Sequence, residues 1–338
     1  MGFGRQAAPK MRATHLESGL GALIEESECR LGLEVSGGRL LRRSGPPILM
    51  SSRTLSEAIE FVMAAVREHG VELPARSRLD EMRRVFLDED GRPTRTVDPD
   101  EPRLRIAQEA LRDISLLEPI FETLVAVSVP DRTSKIKELL GDAVIPRAHQ
   151  RSAAGRDLQA ELFVAATCVK GGMGNVSLDE PDVRAELEGQ QLGISVKRLK
   201  NASRLDDNLR KASAQIESSG LLGVVFVDIG VAFNRDSTAL LAPSDAAFRP
   251  AHLERVQRII REGEDVFVRR ASAKGVGLVY VFDSIVRHVP KIGWGLATVH
   301  MPIEIPGVDQ APYANFKRAF ARGIDRLQER EDDDERRA

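Results

Sequence analysis

Three residues in the second half of the chain have the side-chain types that metal-assisted phosphodiester hydrolysis requires. Glu161 and Asp182 offer carboxylate oxygens, which Mg²⁺ and Mn²⁺ prefer as ligands, and Lys197 offers a cation that could stand beside a phosphate. Glu180, two residues before Asp182, is a further candidate metal ligand. Such a set could hold a metal ion and activate water for attack on phosphorus, provided that the intervening elements bring the side chains together.

Glu161 is expected on a helix and close to the core. The apolar residues that share its helical stripe are Leu158, Leu162 and Ala165. A carboxylate in such a stripe needs a partner, which is either a metal ion or, in the structural alternative, an arginine at the edge of the domain.

Asp182 and Lys197 are predicted to lie on the two strands of a β-hairpin. Residues 183–187 alternate apolar and polar side chains, as a half-buried strand does, and a second apolar run leads to Lys197. A two-residue turn at Gly189 and Gln190 would pair the strands so that Asp182 stands opposite Lys197.

A helix is the alternative for the same segment. Asp179 could cap it, Pro181 suits its first turn, and Gly189 could end it. The two interpretations place Asp182 differently, because only the hairpin brings it beside Lys197.

The order of these residues resembles the PD-(D/E)xK nuclease superfamily over residues 150–230. The resemblance rests on Glu161 on a helix, on Pro181 and Asp182 at the following strand, and on Lys197 on the next strand. It implies a restriction-endonuclease-like α/β fold, in which helices flank a mixed sheet. In that family the Asp binds a divalent metal, a strand-borne acidic residue shares the metal, and the Lys positions the attacking water.

The sequence departs from the family pattern at Ser195, where an Asp or Glu is expected two residues before the Lys. Glu161 is the first candidate to replace the missing carboxylate, and Glu180 is the second. The resemblance therefore implies a Mg²⁺- or Mn²⁺-dependent endonuclease that acts on DNA, with Asp182, Lys197 and Glu161 as catalytic residues. Because of Ser195, the alternative is an inactive nuclease fold that binds nucleic acid or serves as a scaffold.

The segment after Lys197 is basic, although the whole chain has a formal net charge of only −2. Residues 195–215 include six basic and two acidic residues, which indicates a track for phosphates or, alternatively, a solvated helix face. Gln215 resembles the helical Gln that follows the Lys in recombination-type members of the superfamily. The predicted nucleic-acid contacts are Arg198, Lys200, Arg204, Lys211 and Gln215.

The chain is long enough for two domains and a tail. Residues 1–150 are predicted to be mainly helical and to recognise the substrate, a partner protein or a second copy of the chain. Residues 151–325 are predicted to form the nuclease-like domain, and 326–338 a charged tail. In the first half we expect a helix near 55–66 capped by Thr54, a loop or hairpin insert over 73–102, and a helix over 102–127 kinked or broken at Pro119.

The second half alternates helical and strand patterns, which predicts a central sheet covered on both faces. Helices are expected at 155–169, 204–219 and 251–273, and extended segments at 176–199, 223–229, 276–283 and 296–304.

Other chemistries have little support in the sequence. The six histidines have no zinc-ligand spacing, and Cys29 and Cys168 are too few for a disulfide framework. The glycine-rich segment 170–174 lacks the Lys-Ser or Lys-Thr of a phosphate-binding loop, so we expect a turn there. The chain contains no secretory signal and no apolar run of about 18 residues, which predicts a cytoplasmic protein.

Overall fold

The computed structural model describes residues 33–34, 48–49, 55–73, 77–86, 96–97, 101–144, 153–234, 239–271, 275–289 and 293–328. All of them fall within one compact unit, residues 32–338. The predicted cap Thr54, the domain boundary near residue 150 and the charged residues beyond 328 lie outside the described ranges, so these three predictions stay predictions.

Helices predominate on the N-terminal side, as predicted. The elements there are β1 (Leu33–Glu34), β2 (Ile48–Leu49), α1 (Leu55–Glu68), α2 (Arg78–Phe86), β3 (Thr96–Val97), α3 (Glu101–Thr123) and α4 (Arg132–Leu139), with a 3₁₀ turn over Leu124–Ala126. Two expectations are corrected. The insert predicted as loop or hairpin contains α2, whose buried Leu79 and Met82 pack into the core and whose Asp80 amide is capped by the Ser77 hydroxyl at 3.2 Å.

Pro119 does not break α3, which is the second correction. The helix continues from Glu101 to Thr123 with Pro119 inside it. Residues 107–121 are all buried, so packing on every side of the helix offsets the backbone hydrogen bond that proline removes.

The second half alternates helices and strands at the predicted places. Its elements are α5 (Ala154–Lys170), β4 (Gly174–Ser177), β5 (Val183–Leu187), β6 (Gln190–Arg198), α6 (Leu205–Ser219), β7 (Leu222–Asp228), α7 (Gly230–Phe233), β8 (Leu240–Leu241), α8 (Asp245–Ala271), β9 (Val276–Val289), β10 (Gly293–Glu304) and α9 (Ala311–Gln328). The glycine-rich segment forms the expected turn, between α5 and β4.

The described strands of the large sheet are ordered β2-β10-β9-β7-β6-β5-β4, and β8 also pairs with β9. The neighbours β6, β7 and β9 run parallel, whereas the β4-β5-β6 and β9-β10 pairs are antiparallel. The protein is therefore α/β with a mixed sheet flanked by helices, which confirms the predicted fold class at this level.

Strand β7 explains why both faces of the sheet are covered. Val224 and Phe226 join the apolar cluster that includes residues of α3, α5 and α9, whereas Val225 and Val227 join the cluster of α6 and α8. A strand buried on both faces needs an unbroken apolar run, which is the pattern that predicted it. None of the described helices has the combination of length and apolarity needed to cross a membrane.

Candidate active site

The predicted hairpin is formed by β5 and β6, but its turn lies one residue earlier than expected. Leu187 pairs with Gln190, so Glu188 and Gly189 are the turn residues. Both have positive φ, 53° for Glu188 and 78° for Gly189, as the central residues of a type I′ turn must. The alternative of a helix ending at Gly189 is wrong.

The observed register changes the partner of Asp182. Val183 pairs with Ile194, and continuing the register by one residue places Asp182 opposite Ser195 rather than opposite Lys197. The predicted partner of Asp182 is two residues too far along β6, because the predicted turn, Gly189 and Gln190, begins one residue after the observed turn. Asp182 and Lys197 nevertheless meet, because Lys197 points to the same side of β6 as Ser195 and reaches along the strand.

Three donor groups of β6 lie within hydrogen-bonding distance of one oxygen of Asp182. Its Oδ2 lies 2.7 Å from Lys197 Nζ, 2.7 Å from the Val196 amide nitrogen and 2.9 Å from Ser195 Oγ. The side chains of Asp182 and Lys197 are only 15% and 16% exposed, so this ion pair is shielded from most of the solvent. The hairpin thus fixes a carboxylate and an ammonium group in direct contact, as the sequence predicted.

Gln215 of α6 completes this cluster. Ser195 Oγ lies 2.9 Å from Gln215 Oε1, and Gln215 Nε2 donates to Asp182 Oδ1 over 3.3 Å. The serine has one proton, so it donates either to Asp182 or to Gln215. Gln215, predicted as a nucleic-acid contact, therefore lies in the site itself. Its long hydrogen bond to Asp182 Oδ1 is weaker than the contacts at Oδ2.

Glu161 lies on α5, near enough to Asp182 and Lys197 for their charges to act on it. Its pKa is raised from 4.5 to about 7, first because it is buried and second because Asp182 is negatively charged, while Lys197 and Lys135 act in the opposite direction. No hydrogen bond or ion pair joins Glu161 to another residue of the described ranges. Two carboxylates thus repel each other here, which is the electrostatic situation that a divalent cation relieves.

Glu161→Gln is expected to stabilise the protein by about 2 kcal/mol at pH 8 and to change little at pH 5. The folded-state pKa of Glu161, about 7, lies above the ordinary value of 4.5. The wild type therefore loses stability as pH rises between these two values, and the neutral amide does not. Urea unfolding at both pH values measures this, with Glu72→Gln, at an exposed position, as the matched control. The same stability difference at pH 5 and pH 8 would contradict the burial of an ionisable Glu161.

Glu180 does not join the other two carboxylates. It is exposed, and its backbone is tied to its neighbours, the amide donating to Asp179 Oδ1 and the carbonyl accepting from Arg184 Nε. Among the described residues no group of three or more His, Cys, Asp or Glu side chains converges. Glu161 and Asp182 are the two carboxylates that could hold Mg²⁺, which one or two carboxylates commonly bind while waters and substrate phosphates fill the remaining positions.

The predicted basic track is divided by the fold. Arg198 points to the opposite face of the sheet, is buried and pairs with Asp228 at 3.7 Å. Lys200 pairs with Asp157 at 3.0 Å, and the remaining two, Arg204 and Lys211, lie 4.0 and 2.9 Å from Asp207. These last three cations are at least 39% exposed, so their contact with phosphates stays a prediction.

Compared with known proteins, the chain matches no family model, no curated protein and no solved structure.

Sequence reasoning missed a buried charged cluster behind the site. Arg156 of α5 donates to Asp113 Oδ1 at 2.8 Å and to Glu109 Oε2 at 3.4 Å, and Arg78 of α2 lies 3.5 Å from Asp113. All four side chains are at most 2% exposed. One signal was available, because Glu109 and Asp113 interrupt the buried stripe of α3 in the way that Glu161 interrupts the stripe of α5.

Proposed function

We propose that the protein is a metal-dependent nuclease that hydrolyses phosphodiester bonds in DNA. The observation that carries the proposal is the contact of Asp182 with Lys197 at 2.7 Å, on a hairpin whose charges also act on the half-buried Glu161. The order of elements supports a restriction-endonuclease-like arrangement, since the helix with Glu161 precedes the hairpin and β7 follows parallel to β6.

Glu161 and Asp182 are the residues that would hold Mg²⁺ or Mn²⁺. Asp182 Oδ1 is the oxygen best placed to bind a cation, because three donor groups already surround Oδ2. When bound, the metal supplies positive charge at the phosphate and lowers the pKa of a bound water.

The other side chains position the reacting groups. Lys197 supplies a second positive charge, which stabilises the negative charge that develops on the phosphate during attack. Ser195 and Gln215 hold the Asp182 carboxylate in one orientation, so the pocket does not have to reorganise during the reaction. A carboxyl group with a pKa of about 7, such as Glu161, can bind and release a proton near neutral pH.

The direct test is a cleavage assay on the purified full-length chain. We expect nicking or cutting of plasmid and linear DNA with Mg²⁺ or Mn²⁺, and no cleavage with EDTA. Activity should rise with pH through the range near 7, because Glu161 binds a cation only after it loses its proton. Cleavage that persists in EDTA would contradict the proposal.

A second function, nucleic-acid binding without cleavage, is favoured by one observation. Ser195 provides a neutral hydroxyl at the position of the expected carboxylate, and the described residues supply only the carboxylate pair Glu161 and Asp182. Titration calorimetry separates the two functions. Salt-sensitive DNA binding together with no uptake of Mg²⁺ or Mn²⁺ would support the binding protein, whereas any metal-dependent turnover would exclude it.

The partners follow from the same proposal. DNA would approach the exposed cations Lys200, Arg204 and Lys211, and the N-terminal helices would recognise either the substrate or another protein, including a second copy of the chain. The cytoplasm, where DNA and Mg²⁺ are both accessible, is the compartment that fits this activity.

A further inference from the structure

A small cavity lies on the opposite face of the sheet from the Asp182 and Lys197 contact. It has a volume of about 20 Å³ and lies where β6 and β7 end and beside the middle of β9. Helices α3 and α5 cover it. Its charged lining residues are Arg112, Asp113, Arg156, Arg198 and Asp228, and three phenylalanine rings, Phe163, Phe226 and Phe282, form much of the remaining wall.

The charged lining carries an excess of positive charge. Among the lining residues, three guanidinium groups face two carboxylates. Burial raises the pKa of Asp228, although the charges of Arg198 and Arg112 act in the opposite direction. Of the two lining carboxylates, Asp228 is therefore protonated more easily than Asp113. Burial also lowers the pKa of Arg198, which indicates that Asp228 alone does not compensate for the desolvation of this guanidinium.

Several N–H donors at the cavity lack an acceptor. Arg198 is 4% exposed, and its Nη2 has no hydrogen-bond partner among the described residues, nor do Arg112 Nε and Arg156 Nε. Buried donors are rarely left unpaired, because an unmade hydrogen bond costs about 1–3 kcal/mol for each group and more for a charged one. An occupant that accepts hydrogen bonds would satisfy these donors.

We propose that this cavity is a binding site for a monovalent, halide-sized anion, with chloride as the physiological ligand. The volume admits an occupant about the size of one water molecule, and a halide ion is little larger. One negative charge balances the lining, and Arg198 Nη2 supplies a donor. A phosphate group is too large and too highly charged for this space.

Bromide diffraction tests the site on the unaltered protein. Crystals of the full chain grown in sodium bromide should contain an anomalous peak within hydrogen-bonding distance of Arg198 Nη2. A cavity that contains water only, or no ordered density, would overturn the proposal.

Thermal unfolding provides a second measurement in solution. At constant ionic strength, replacing gluconate by chloride should raise the Tm of the wild type by roughly 2 °C once chloride exceeds its Kd about tenfold. Arg198→Met should lose this response, while Lys200→Met, two residues later and 39% exposed, should keep it. Equal Tm values in chloride and gluconate for the wild type would also overturn the proposal. Neither measurement involves DNA cleavage. The proposed anion site can therefore be refuted without refuting the proposed nuclease activity, and the nuclease activity can be refuted without refuting the anion site.

Discussion

Asp182→Asn is expected to lower the rate of Mg²⁺-dependent DNA cleavage by about 10³-fold or more. The amide keeps the size of the side chain but removes the charge that would hold the cation and that now holds Lys197 Nζ at 2.7 Å. The metal contributes several kcal/mol of charge stabilisation in the transition state, and each 1.36 kcal/mol is a factor of ten in rate. Initial rates with saturating DNA over a range of Mg²⁺ concentrations measure the loss and separate weaker metal binding from slower chemistry.

Asp179→Asn is the matched control for this experiment. Asp179 lies three residues earlier, is 57% exposed and pairs with Arg184 at 3.4 Å, so the same chemical change occurs beside a cation but outside the site. It should cleave DNA at close to the wild-type rate. Lys197→Met should be as inactive as Asp182→Asn while it still binds the metal, because it keeps both carboxylates. If Asp182→Asn and Lys197→Met both cleave DNA at the wild-type rate, this site does not take part in the reaction.

The neutral residue at position 195 is consistent with the geometry of the cluster. Ser195 is fully buried and stands opposite Asp182, with its hydroxyl 2.9 Å from Asp182 Oδ2 and from Gln215 Oε1. A carboxylate there would place a second buried negative charge against Asp182. In the proposed site the second carboxylate would come instead from α5, since the charge of Asp182 acts on Glu161.

The sequence predicted the fold well where periodicity and burial agree. The unbroken apolar run of β7 allowed only one structural interpretation, and the helix around Glu161 follows a regular apolar stripe. The hairpin was predicted, yet its register was not. Glu188 adopts a positive φ of 53°, which non-glycine residues seldom do, so the sequence favoured a turn that began at Gly189.

The sequence predicted which residues form the site better than it predicted the contacts between them. Asp182 and Lys197 meet as expected, and Gln215, predicted as a nucleic-acid contact, joins them, because the hairpin and the following helix are local in sequence. Arg198 was misplaced for a simple reason, because a strand sends consecutive side chains to opposite faces, so Arg198 cannot lie beside Lys197. The pairing of Arg156 with Asp113, 43 residues apart, depends on how α3 packs against α5, which no local pattern specifies.

Arg156→Met is expected to lower the free energy of unfolding by about 3–5 kcal/mol. The guanidinium bonds Asp113 and Glu109, and its Nη2 also donates to the carbonyls of Ala143 and Val144. Methionine has a similar apolar stem but removes one buried cation from two buried carboxylates, of which Asp113 keeps Arg78 at 3.5 Å and Glu109 keeps Arg112 at 3.3 Å. Breaking a buried ion pair costs far more than an exposed pair contributes. Urea unfolding at pH 7 with a fitted m-value measures the loss.

Arg210→Met is the control for this loss, because Arg210 is 53% exposed and pairs with Asp207 on the surface of α6. It should change stability by less than about 1 kcal/mol.

The pH dependence of unfolding in acid gives a second test of the Arg156→Met prediction. Burial alone would raise the pKa of Asp113, but Arg156, Arg78 and Arg112 together hold it below its ordinary value of 3.8. The stability that this carboxylate contributes is present above pH 3.8 and is lost as pH falls through its folded-state pKa, so the difference between wild type and Arg156→Met should shrink in acid. A difference below 1 kcal/mol at neutral pH would mean that the buried cluster does not hold α3 against α5 by charge.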